Sequence, residues 1–429
     1  MSQDGYHAAA VEAALDDEAV RPSLGLDRPV PRIAIHVFTG DDHTVGVVER
    51  VAADRRFAKA HVSVYEGGIR AAAEHYTQAP TPNLMILEDH APAGEIFQSL
   101  GALAQVCDPG TKVIVVGREN DVAFYRDLMR QGINEYLVGP LNPVQVMEAV
   151  SALYVDPSAP PIGRIFAFVG ARGGSGSSTI AHNIGWCIAE ELGHDTTIVD
   201  LDLPFGTATL DFNQDSSGAA IDALSAPERL DDVMLDRILV KCTDHLNLFC
   251  APGTLDRDFD LDPSACERLM EVIRQSVPNV VLDIPHLWAP WTRHLLHSAD
   301  EIVITATPDL ASLRNAKNII DLVRQARPND LPPRLVLNKT GMSRRPEIPA
   351  KEFAEAVGVE PLVVLPYESQ LFGVAANNGQ MIAELSAQHR VADAMRVLAR
   401  TLTGIEATGT RSGPLRQMIE QLRAKIGNR

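Results

Sequence analysis

The sequence lacks the cysteine patterns that hold disulfides or zinc. Its five cysteines are an odd number among 429 residues, and no two of them form a CxxC pair. This usage argues against a disulfide framework and predicts mostly buried thiols in a reducing compartment. The thirteen histidines are scattered, and the nearest approach to a metal-binding pair is His294 with His297, three positions apart. We do not expect a metal centre at that pair.

Long apolar runs and an excess of positive charge are also lacking. No stretch nears the roughly 18 apolar residues that span a bilayer, and no charged-then-apolar leader opens the sequence, so we expect a cytoplasmic protein. The chain has 38 Lys and Arg residues against 56 Asp and Glu residues, a formal net charge of -18. Nucleic-acid binding needs clustered Lys and Arg, so this balance argues against a nucleic-acid partner.

Two series of alternating strand-like and helix-like segments make up most of the chain. The first covers 31–155, with "NLMILED" and "TKVIVVG" among its strands, and the second covers 164–405, with "IFAFV" and "NVVLDI". Such alternation predicts an α/β protein with two doubly wound parallel-sheet domains. The segment "DPSAPPIG" (156–163) is rich in proline and predicts a linker. We expect a flexible acidic tail at 1–30 and a basic amphipathic tail at 406–429.

A glycine-rich turn, "GARGGSGSST" at 170–179, joins the first strand of the second series to a helix. Backbone N–H groups in such a turn converge at the positive end of the helix dipole, which predicts phosphate binding. Gly173, Gly174 and Gly176 permit close approach of the backbone, and the Ser178 hydroxyl is placed as a Mg²⁺ ligand. Tight packing without any ligand is the alternative. The turn contains no lysine.

Polar side chains follow three later strands of the second series. The run "TTIVD" ends in Asp200, and Asp202 follows two positions later. The run "VVLD" ends in Asp283, and "RLVLN" ends in Asn338. Ligands of open parallel sheets bind at this edge, and carboxylates there hold Mg²⁺ or its waters. Asn338 is placed where its amide could contact the edge of a base. Helix caps and turn formers are the alternative interpretation of any one of these aspartates.

Residues 164 to about 400 resemble the ParA/MinD branch of P-loop ATPases, whose loop has the pattern KGGxGK[ST]T. Aligned on that pattern, "RGGSGSST" places Arg172 at the family's signature lysine and Ser177 at its phosphate-facing lysine. The resemblance implies that Asp202 is the water-positioning carboxylate and Asp283 the Walker B residue. It also implies that Asp202 and Arg172 are the catalytic pair.

The altered loop, together with "VAANNGQ", is similar to the CpaE/TadZ proteins of Flp (Tad) pilus assembly. The resemblance implies an ATP-binding localisation or assembly factor, a homodimer whose partners are pilus and secretion machinery proteins, including the secretion ATPase. It places the protein at a pole or at the periphery of the inner membrane. Its implied cofactors are ATP and Mg²⁺. The implied ATP-binding residues are Gly173, Gly174, Ser175, Gly176, Ser177, Ser178, Thr179 and Asn338. The implied metal-binding residues are Ser178, Asp200 and Asp283.

Ser177 removes a positive charge beside the phosphates. Losing one such partner typically costs about 10²–10³ in rate, so we expect slow or absent hydrolysis unless another cation is supplied, with Arg172 of a second subunit as the first candidate. A working ATPase that cycles between membrane or polar sites is the alternative.

The segment 31–155 resembles a response-regulator receiver domain with an altered site. The altered positions are Glu88 at the phosphate acceptor, Gly117 for the switch hydroxyl, Gly139 for the lysine, and Val37 with Phe38 for the acidic pair. Without these groups the domain is expected to be a binding module for localisation or dimerisation. Asp89 stands next to the acceptor position, so a phosphorylated signalling regulator is a third interpretation.

The last residues, 411–429, predict a basic amphipathic helix. Five apolar side chains share one helical face: Leu415, Met418, Ile419, Leu422 and Ile426. Contact with anionic lipid or a partner groove is one interpretation, docking on the protein's own domain is the second, and a disordered tail is the third.

Overall fold

The computed structural model describes residues 29–154, 162–216, 218–251, 253, 255 and 260–405. The predicted tail at 1–30 and linker at 156–163 lie almost entirely outside the described residues, and the segment 406–429 lies wholly outside them. The domain limits given above therefore stay predictions.

The first sheet has five parallel strands in the order β2-β1-β3-β4-β5. Their bounds are β1 Ala34–Thr39, β2 His61–Glu66, β3 Leu84–Glu88, β4 Lys112–Gly117 and β5 Glu135–Val138. The helices between them are α1 Asp42–Ala52, α2 Ile69–His75, α3 Ala93–Ala104, α4 Val122–Arg130 and α5 Pro143–Tyr154, with a 3₁₀ turn at Arg55–Phe57. Buried side chains form a cluster on each face of the sheet, as a doubly wound fold requires.

The second sheet has eight strands in the order β13-β12-β11-β6-β10-β7-β9-β8. Their bounds are β6 Arg164–Gly170, β7 Thr196–Asp200, β8 Val240–Lys241, β9 Leu246–Phe249, β10 Asn279–Ile284, β11 Glu301–Ala306, β12 Arg334–Thr340 and β13 Pro361–Pro366. All neighbours pair in parallel except β8, which is antiparallel to β9. The sequence did not predict β8, because two residues are too few for a recognisable pattern.

The helices of the second unit cover both faces of its sheet. They are α6 Ser177–Trp186, α7 Ala208–Asp211, α8 Ala219–Ser225, α9 Asp232–Ile238, α10 Pro263–Ser276, α11 Pro290–Ser298, α12 Leu310–Ala326, α13 Ala350–Val357, α14 Ser369–Asn378, α15 Ile382–Leu385 and α16 Arg390–Thr403. A π turn at Cys187–Glu191 extends α6, and a 3₁₀ turn lies at Pro227–Arg229. No helix among the described residues is both long and apolar enough to cross a membrane.

Strand β6 shows why the sheet is buried on both faces. Ile165, Ala167 and Val169 pack into one apolar cluster, whereas Phe166 and Phe168 pack into the cluster on the opposite face. A strand with apolar residues at every position is stable only where helices cover both of its sides. The predicted α/β class with two doubly wound parallel sheets is confirmed.

A group of buried charges joins the two units, and we call it the ionic junction (Asp54, Arg55, Arg56, Asp300 and Asp330). Arg55 Nη1 lies 3.3 Å from Asp300 Oδ1, and Arg56 Nη2 lies 2.8 Å from Asp330 Oδ1. Asp54 holds the other edge of Arg56, with Oδ1 2.7 Å from Nε. The junction involves the turn after α1 on one side and the loops that precede β11 and β12 on the other. It fixes the first unit at the amino-terminal edge of the second sheet.

Candidate functional site

The glycine turn 170–176 leads from β6 directly into α6. Gly174 and Gly176 have φ of 74° and 91°, a left-handed conformation that side chains with a Cβ rarely adopt. A Cβ on Gly176 would also lie 2.6 Å from Asn338 Nδ2. The helix begins at Ser177, so the N–H groups of its first turn face the loop. The local geometry is that of an anion-binding turn.

Two residues at the end of β12 hold this turn in place. The Asn338 Nδ2 group donates to the Ser175 carbonyl oxygen over 2.8 Å, and the Lys339 ammonium donates to the Gly174 carbonyl oxygen over 2.7 Å. The sequence placed the Asn338 amide where it could contact a base edge. In the structure its nitrogen is bound to the loop backbone, and its oxygen accepts from the Lys339 N–H over 2.8 Å. Lys339 was missed by the sequence reasoning, and the signal was the basic residue directly after Asn338.

The Lys339 ammonium lies in a positively charged neighbourhood. Burial lowers the pKa of Lys339, and the Arg172 and Arg345 guanidiniums lower it further. The two arginines share one carboxylate oxygen, since Arg172 Nη1 lies 3.3 Å and Arg345 Nη2 2.8 Å from Asp309 Oδ2. Arg172, the predicted catalytic arginine, is thus held within its own chain. Three cations border a loop that itself contains no lysine.

A buried cluster of ionisable side chains lies behind the loop. Two of the predicted metal-binding residues lie at the carboxyl ends of neighbouring strands: Asp200 is the last residue of β7, and Asp283 is the last but one of β10. Both are 2% exposed. The Ser178 side chain is close enough to Asp283 to lower the pKa of that carboxyl, so the three predicted metal residues lie in one region. Burial raises the pKa of Asp283, and the Asp200 carboxylate adds to that increase. Burial also raises the pKa of Asp200.

Asp202, the predicted water-positioning residue, lies beside this cluster on the loop after β7. Its backbone N–H donates to Asp200 Oδ1 over 3.0 Å, and its own Oδ1 accepts from the Phe205 N–H over 3.2 Å. Burial raises the pKa of Asp202, which is less buried than Asp200. The loop hydrogen bonds orient the carboxylate.

His182 on α6 was missed by the sequence reasoning. Its side chain is fully buried, with Nδ1 2.7 Å from Asp211 Oδ2 and Nε2 3.7 Å from Asp283 Oδ2. Burial lowers the pKa of His182, but the Asp211 hydrogen bond and the Asp283 and Asp200 carboxylates raise it more. The signal was a histidine in a helix expected to pack on the sheet. Neither His294 nor His297 belongs to this cluster, and His294 Nε2 lies 3.9 Å from a Glu267 oxygen.

An open cleft of about 340 Å³ adjoins the loop. Gly176, Thr179 and Asn338 line one side of it, and Tyr367 and Phe372 line the other. Tyr367 and Phe372 shortly precede "VAANNGQ", the segment that shares the resemblance to the CpaE/TadZ proteins. A volume of this size is typical of small-molecule sites, and its walls mix aromatic and polar groups as such sites do.

Large apolar side chains are exposed along the same edge of the sheet. Phe205 follows β7, Leu287 and Trp288 follow β10, and Leu310 follows β11, with exposed fractions of 69%, 52%, 55% and 74%. Exposed apolar groups close to a binding cleft are typical of protein contact surfaces.

The front unit has a polar cleft at the corresponding edge of its own sheet. Glu88 is buried and accepts from the Thr39 hydroxyl and, over 3.1 Å, from the Thr44 hydroxyl. Asp41 and Asp42 border the same cleft. The assignment of Val37 and Phe38 to the acidic-pair position was therefore wrong. Both are buried in β1, and the acidic residues Asp41 and Asp42 stand four positions later, at the start of α1.

The switch position of the front unit differs from a receiver for a steric reason. A Cβ on Gly117 would lie 2.5 Å from the Tyr136 hydroxyl, which donates to the Glu119 carbonyl oxygen. Asp89 is partly buried and caps its own turn by accepting from the Ala91 N–H over 3.0 Å. The Tyr136 side chain therefore occupies the space at the end of β4 where a receiver domain has its switch hydroxyl.

Comparison with known proteins finds similarity to MinD and CpaE proteins. No family model matches the chain. The septum site-determining protein MinD of Bacillus subtilis is 26% identical over 267 residues, which is 61% of this chain and 94% of that protein. The pilus assembly protein CpaE of Caulobacter crescentus is 50% identical, over 30% of this chain and 98% of that chain, with a TM-score of 0.30.

Two further solved structures are each similar to more than half of the chain. A ParA family ATPase from Chlorobium tepidum is 24% identical over 56% of this chain and 98% of that chain, with a TM-score of 0.50. MinD of Pyrococcus horikoshii, complexed with Mg-ADP, is 21% identical over 58% of this chain and 100% of that chain, with a TM-score of 0.49. The likeness to the ParA family ATPase supports the fold.

Proposed function

Since the chain belongs to the CpaE-like proteins of the ParA/MinD superfamily, we propose that it is an ATP-binding localisation or assembly factor for a Flp (Tad) pilus. One observation carries the nucleotide-binding part of this proposal. The turn 170–176 adopts the left-handed glycine conformation of an anion cradle, is fixed by Asn338 and Lys339, and opens onto the adjoining cleft.

The residues around the turn fit a nucleotide with Mg²⁺. Backbone N–H groups of the first turn of α6 supply the anion contacts. The space beside Gly173 and Gly174 is open, because a Cβ added to either glycine would have no atom within 4 Å. Asp283 Oδ1 is buried without a hydrogen-bond partner, as expected of an atom that accepts from a metal-bound water. Ser178, Asp200 and Asp283 would hold Mg²⁺, which would neutralise phosphate charge.

Slow or absent hydrolysis follows from Ser177. Its hydroxyl is buried without a hydrogen-bond partner at the position where the family has an ammonium group. A hydroxyl provides no full charge for the transferring phosphoryl group, so the transition state is less stabilised than in a lysine-bearing loop. Binding by the backbone is retained because its dipoles are unchanged.

A working ATPase, with Asp202 and Arg172 as the catalytic pair, is the second candidate function. The observation that favours it is the Lys339 ammonium at the Gly174 carbonyl, which is a cation of the same chain at the loop. If Lys339 moves onto the phosphates when nucleotide binds, it restores the charge that Ser177 lacks. Steady-state turnover distinguishes the two candidates.

The active form is proposed to be a homodimer formed across the loop edge. The exposed Phe205, Trp288 and Leu310 lie there and would be covered by a second copy. Arg172 is held by Asp309 in the single chain, so reaching a partner's phosphates would require this ion pair to open. The pair is part-exposed, so opening it costs little, about 1 kcal/mol or less.

The front unit is proposed to be a binding module that recruits pilus and secretion machinery proteins, including the secretion ATPase. The ionic junction supports this role because it holds the module in a fixed position on the nucleotide-binding unit. The proposed location is a pole or the periphery of the inner membrane, with 411–429 as a possible contact to lipid. No nucleic-acid partner is proposed, given the charge of -18.

The test is calorimetric titration of ATP with Mg²⁺ into wild type, Gly176→Ala and Gly101→Ala. The first substitution forces a Cβ against Asn338 at a φ of 91°, whereas Gly101 has no atom within 4 Å of its built Cβ and is the matched control. We expect wild type and the control to bind and Gly176→Ala to lose binding. No uptake by wild type at millimolar ATP would refute the proposal, and pilus counts in cells carrying each variant then test the assembly role.

A further inference from the structure

The buried cluster behind the loop contains a histidine that the proposed nucleotide chemistry does not use. We propose that His182, Asp200 and Asp283 form a binding site for a divalent transition-metal ion that needs no nucleotide. The ligands would be His182 Nε2 and one carboxylate oxygen from each aspartate. A ring nitrogen of His182 and one carboxylate oxygen from each aspartate lie within 4.8 Å of one another, and all three residues are buried.

The hydrogen bonds of His182 prepare one ring nitrogen for a metal. Nδ1 lies 2.7 Å from Asp211 Oδ2, so Nδ1 carries the proton and donates it to that carboxylate. Nε2 is buried and has no hydrogen-bond partner. A carboxylate bound to one ring nitrogen, with the other nitrogen directed at a cation, is the usual arrangement of metal-binding histidines.

The distances across the cluster suit a shared ion better than a direct contact. Nε2 lies 3.7 Å from Asp283 Oδ2, which is too long for a hydrogen bond. Two ligand atoms that are each about 2.1 Å from a metal ion, about 110° apart, lie about 3.4 Å from one another. Asp283 Oδ1 also lacks a hydrogen-bond partner, so a second carboxylate oxygen remains available to the same ion.

The donor set selects the class of metal. An imidazole nitrogen with two carboxylate oxygens favours ions from Mn²⁺ to Zn²⁺, since Mg²⁺ prefers oxygen ligands and keeps its waters. The site shares Asp200 and Asp283 with the proposed Mg²⁺ site, so an ion bound to His182 would engage carboxylates that the Mg²⁺ waters would otherwise use. Metal binding at this site should therefore be measured in the nucleotide-free protein.

The test uses Co²⁺ alone, titrated into tag-free, EDTA-treated full-length protein and followed by visible absorption. We expect one Co²⁺ per chain, bound at least tenfold more tightly than Mg²⁺ in competition. His182→Asn should weaken Co²⁺ binding at least tenfold. Asp211→Asn, which leaves all three ligands in place, should weaken it about 10- to 100-fold.

The matched control is His245→Asn. His245 Nδ1 lies 2.7 Å from Asp195 Oδ1, the same pairing as in His182, but on the protein surface. The His245→Asn variant should bind Co²⁺ with the same affinity as wild type. Because buried His182 variants can misfold, pulsed electron paramagnetic resonance of Mn²⁺ bound to wild type provides a readout without substitution, and coupling to an imidazole nitrogen is expected.

Absence of nitrogen coupling, or equal Co²⁺ affinity in wild type and folded His182→Asn, would overturn the inference, and the cluster would then be a proton-bound network only. The outcome is independent of the ATP titration: a protein that binds Co²⁺ but no ATP refutes the proposed function alone, and the converse refutes this site alone.

Discussion

Lys339 and Gly174 are 165 positions apart in the chain, yet the Lys339 ammonium donates a 2.7 Å hydrogen bond to the Gly174 carbonyl oxygen. The contact arises because β12 and the β6–α6 turn end at the same edge of the second sheet. It places a lysine ammonium against a loop whose own cation, Arg172, is paired with Asp309. The relationship links two parts of the function, since the same side chain stabilises the loop and is near the space where phosphates would lie.

Replacing Lys339 by Met should weaken nucleotide binding. A hydrogen bond from a charged donor contributes about 1.5–3 kcal/mol, which corresponds to about a 10- to 100-fold loss of ATP affinity. Fluorescence titration with a labelled ATP analogue measures it. Lys317→Met, which removes an exposed lysine paired with Asp321 on α12, is the control and should change nothing. Equal affinity of Lys339→Met and wild type would mean that the contact is only structural.

Replacing Ser177 by Lys should increase ATP turnover. The ammonium group would provide the charge that phosphoryl transfer requires, and we expect a gain of about 10²–10³ in rate over wild type. Coupled phosphate-release kinetics at saturating ATP measure it. The control is Ser225→Lys on α8, which adds the same charge at an exposed position away from the loop. Ser175→Lys would not serve, because Ser175 is buried. Wild-type turnover already at about 10 per second or more would contradict the expectation.

The parts of the fold that depend on short-range patterns could be predicted from the sequence. Runs such as "IFAFV" are apolar at every position because both faces of β6 are covered, and this predicts a buried parallel strand. Gly176 could be predicted as a loop residue because its neighbours are glycine and serine. Its left-handed φ is also compatible with the sequence, because glycine has no Cβ and adopts a positive φ without a steric cost.

The parts of the site that depend on long-range contacts could not be predicted in that way. Lys339 reaches the loop, and Arg345 reaches the carboxylate that holds Arg172, only through the order of strands in the sheet. His182 meets Asp283 only through the packing of α6 on β10. A single histidine in a helix does not show which side chains will surround it. The position of Asp41 relative to Glu88 was missed for the same reason.

Arg172→Ala should separate nucleotide binding from dimerisation. The guanidinium is bound to Asp309 in the single chain, so its loss leaves the cleft intact, and we expect ATP affinity within about threefold of wild type. If Arg172 acts across a dimer, the ATP-dependent dimer should be at least tenfold weaker. Analytical ultracentrifugation with a non-hydrolysable ATP analogue measures it. Arg314→Ala, an exposed arginine on α12, is the control, and an unchanged dimer in Arg172→Ala would exclude a contact in trans.

The ionic junction should lose its contribution to stability in acid. Burial raises the pKa of Asp330, but the Arg55, Arg327 and Arg56 guanidiniums lower it more, so its net shift is downward. A carboxylate with a lowered pKa contributes stability above its unfolded value of about 3.9, and that stability is lost as pH falls through the folded value. The junction should therefore be intact at neutral pH and weaken below about pH 4.

Asp330→Asn removes the same charge at every pH. Because it leaves buried guanidiniums without their carboxylate, we expect a destabilisation of about 3–5 kcal/mol at pH 7, measured by urea denaturation. The difference between wild type and variant should shrink below about pH 4, where the Asp330 carboxyl of the unfolded chain takes up a proton while that of the folded protein keeps its charge to a lower pH. Asp321→Asn breaks an exposed pair on α12 and should change stability by no more than about 0.5 kcal/mol. A difference that stays constant from pH 7 to pH 3 would show that packing, and not charge, joins the two units.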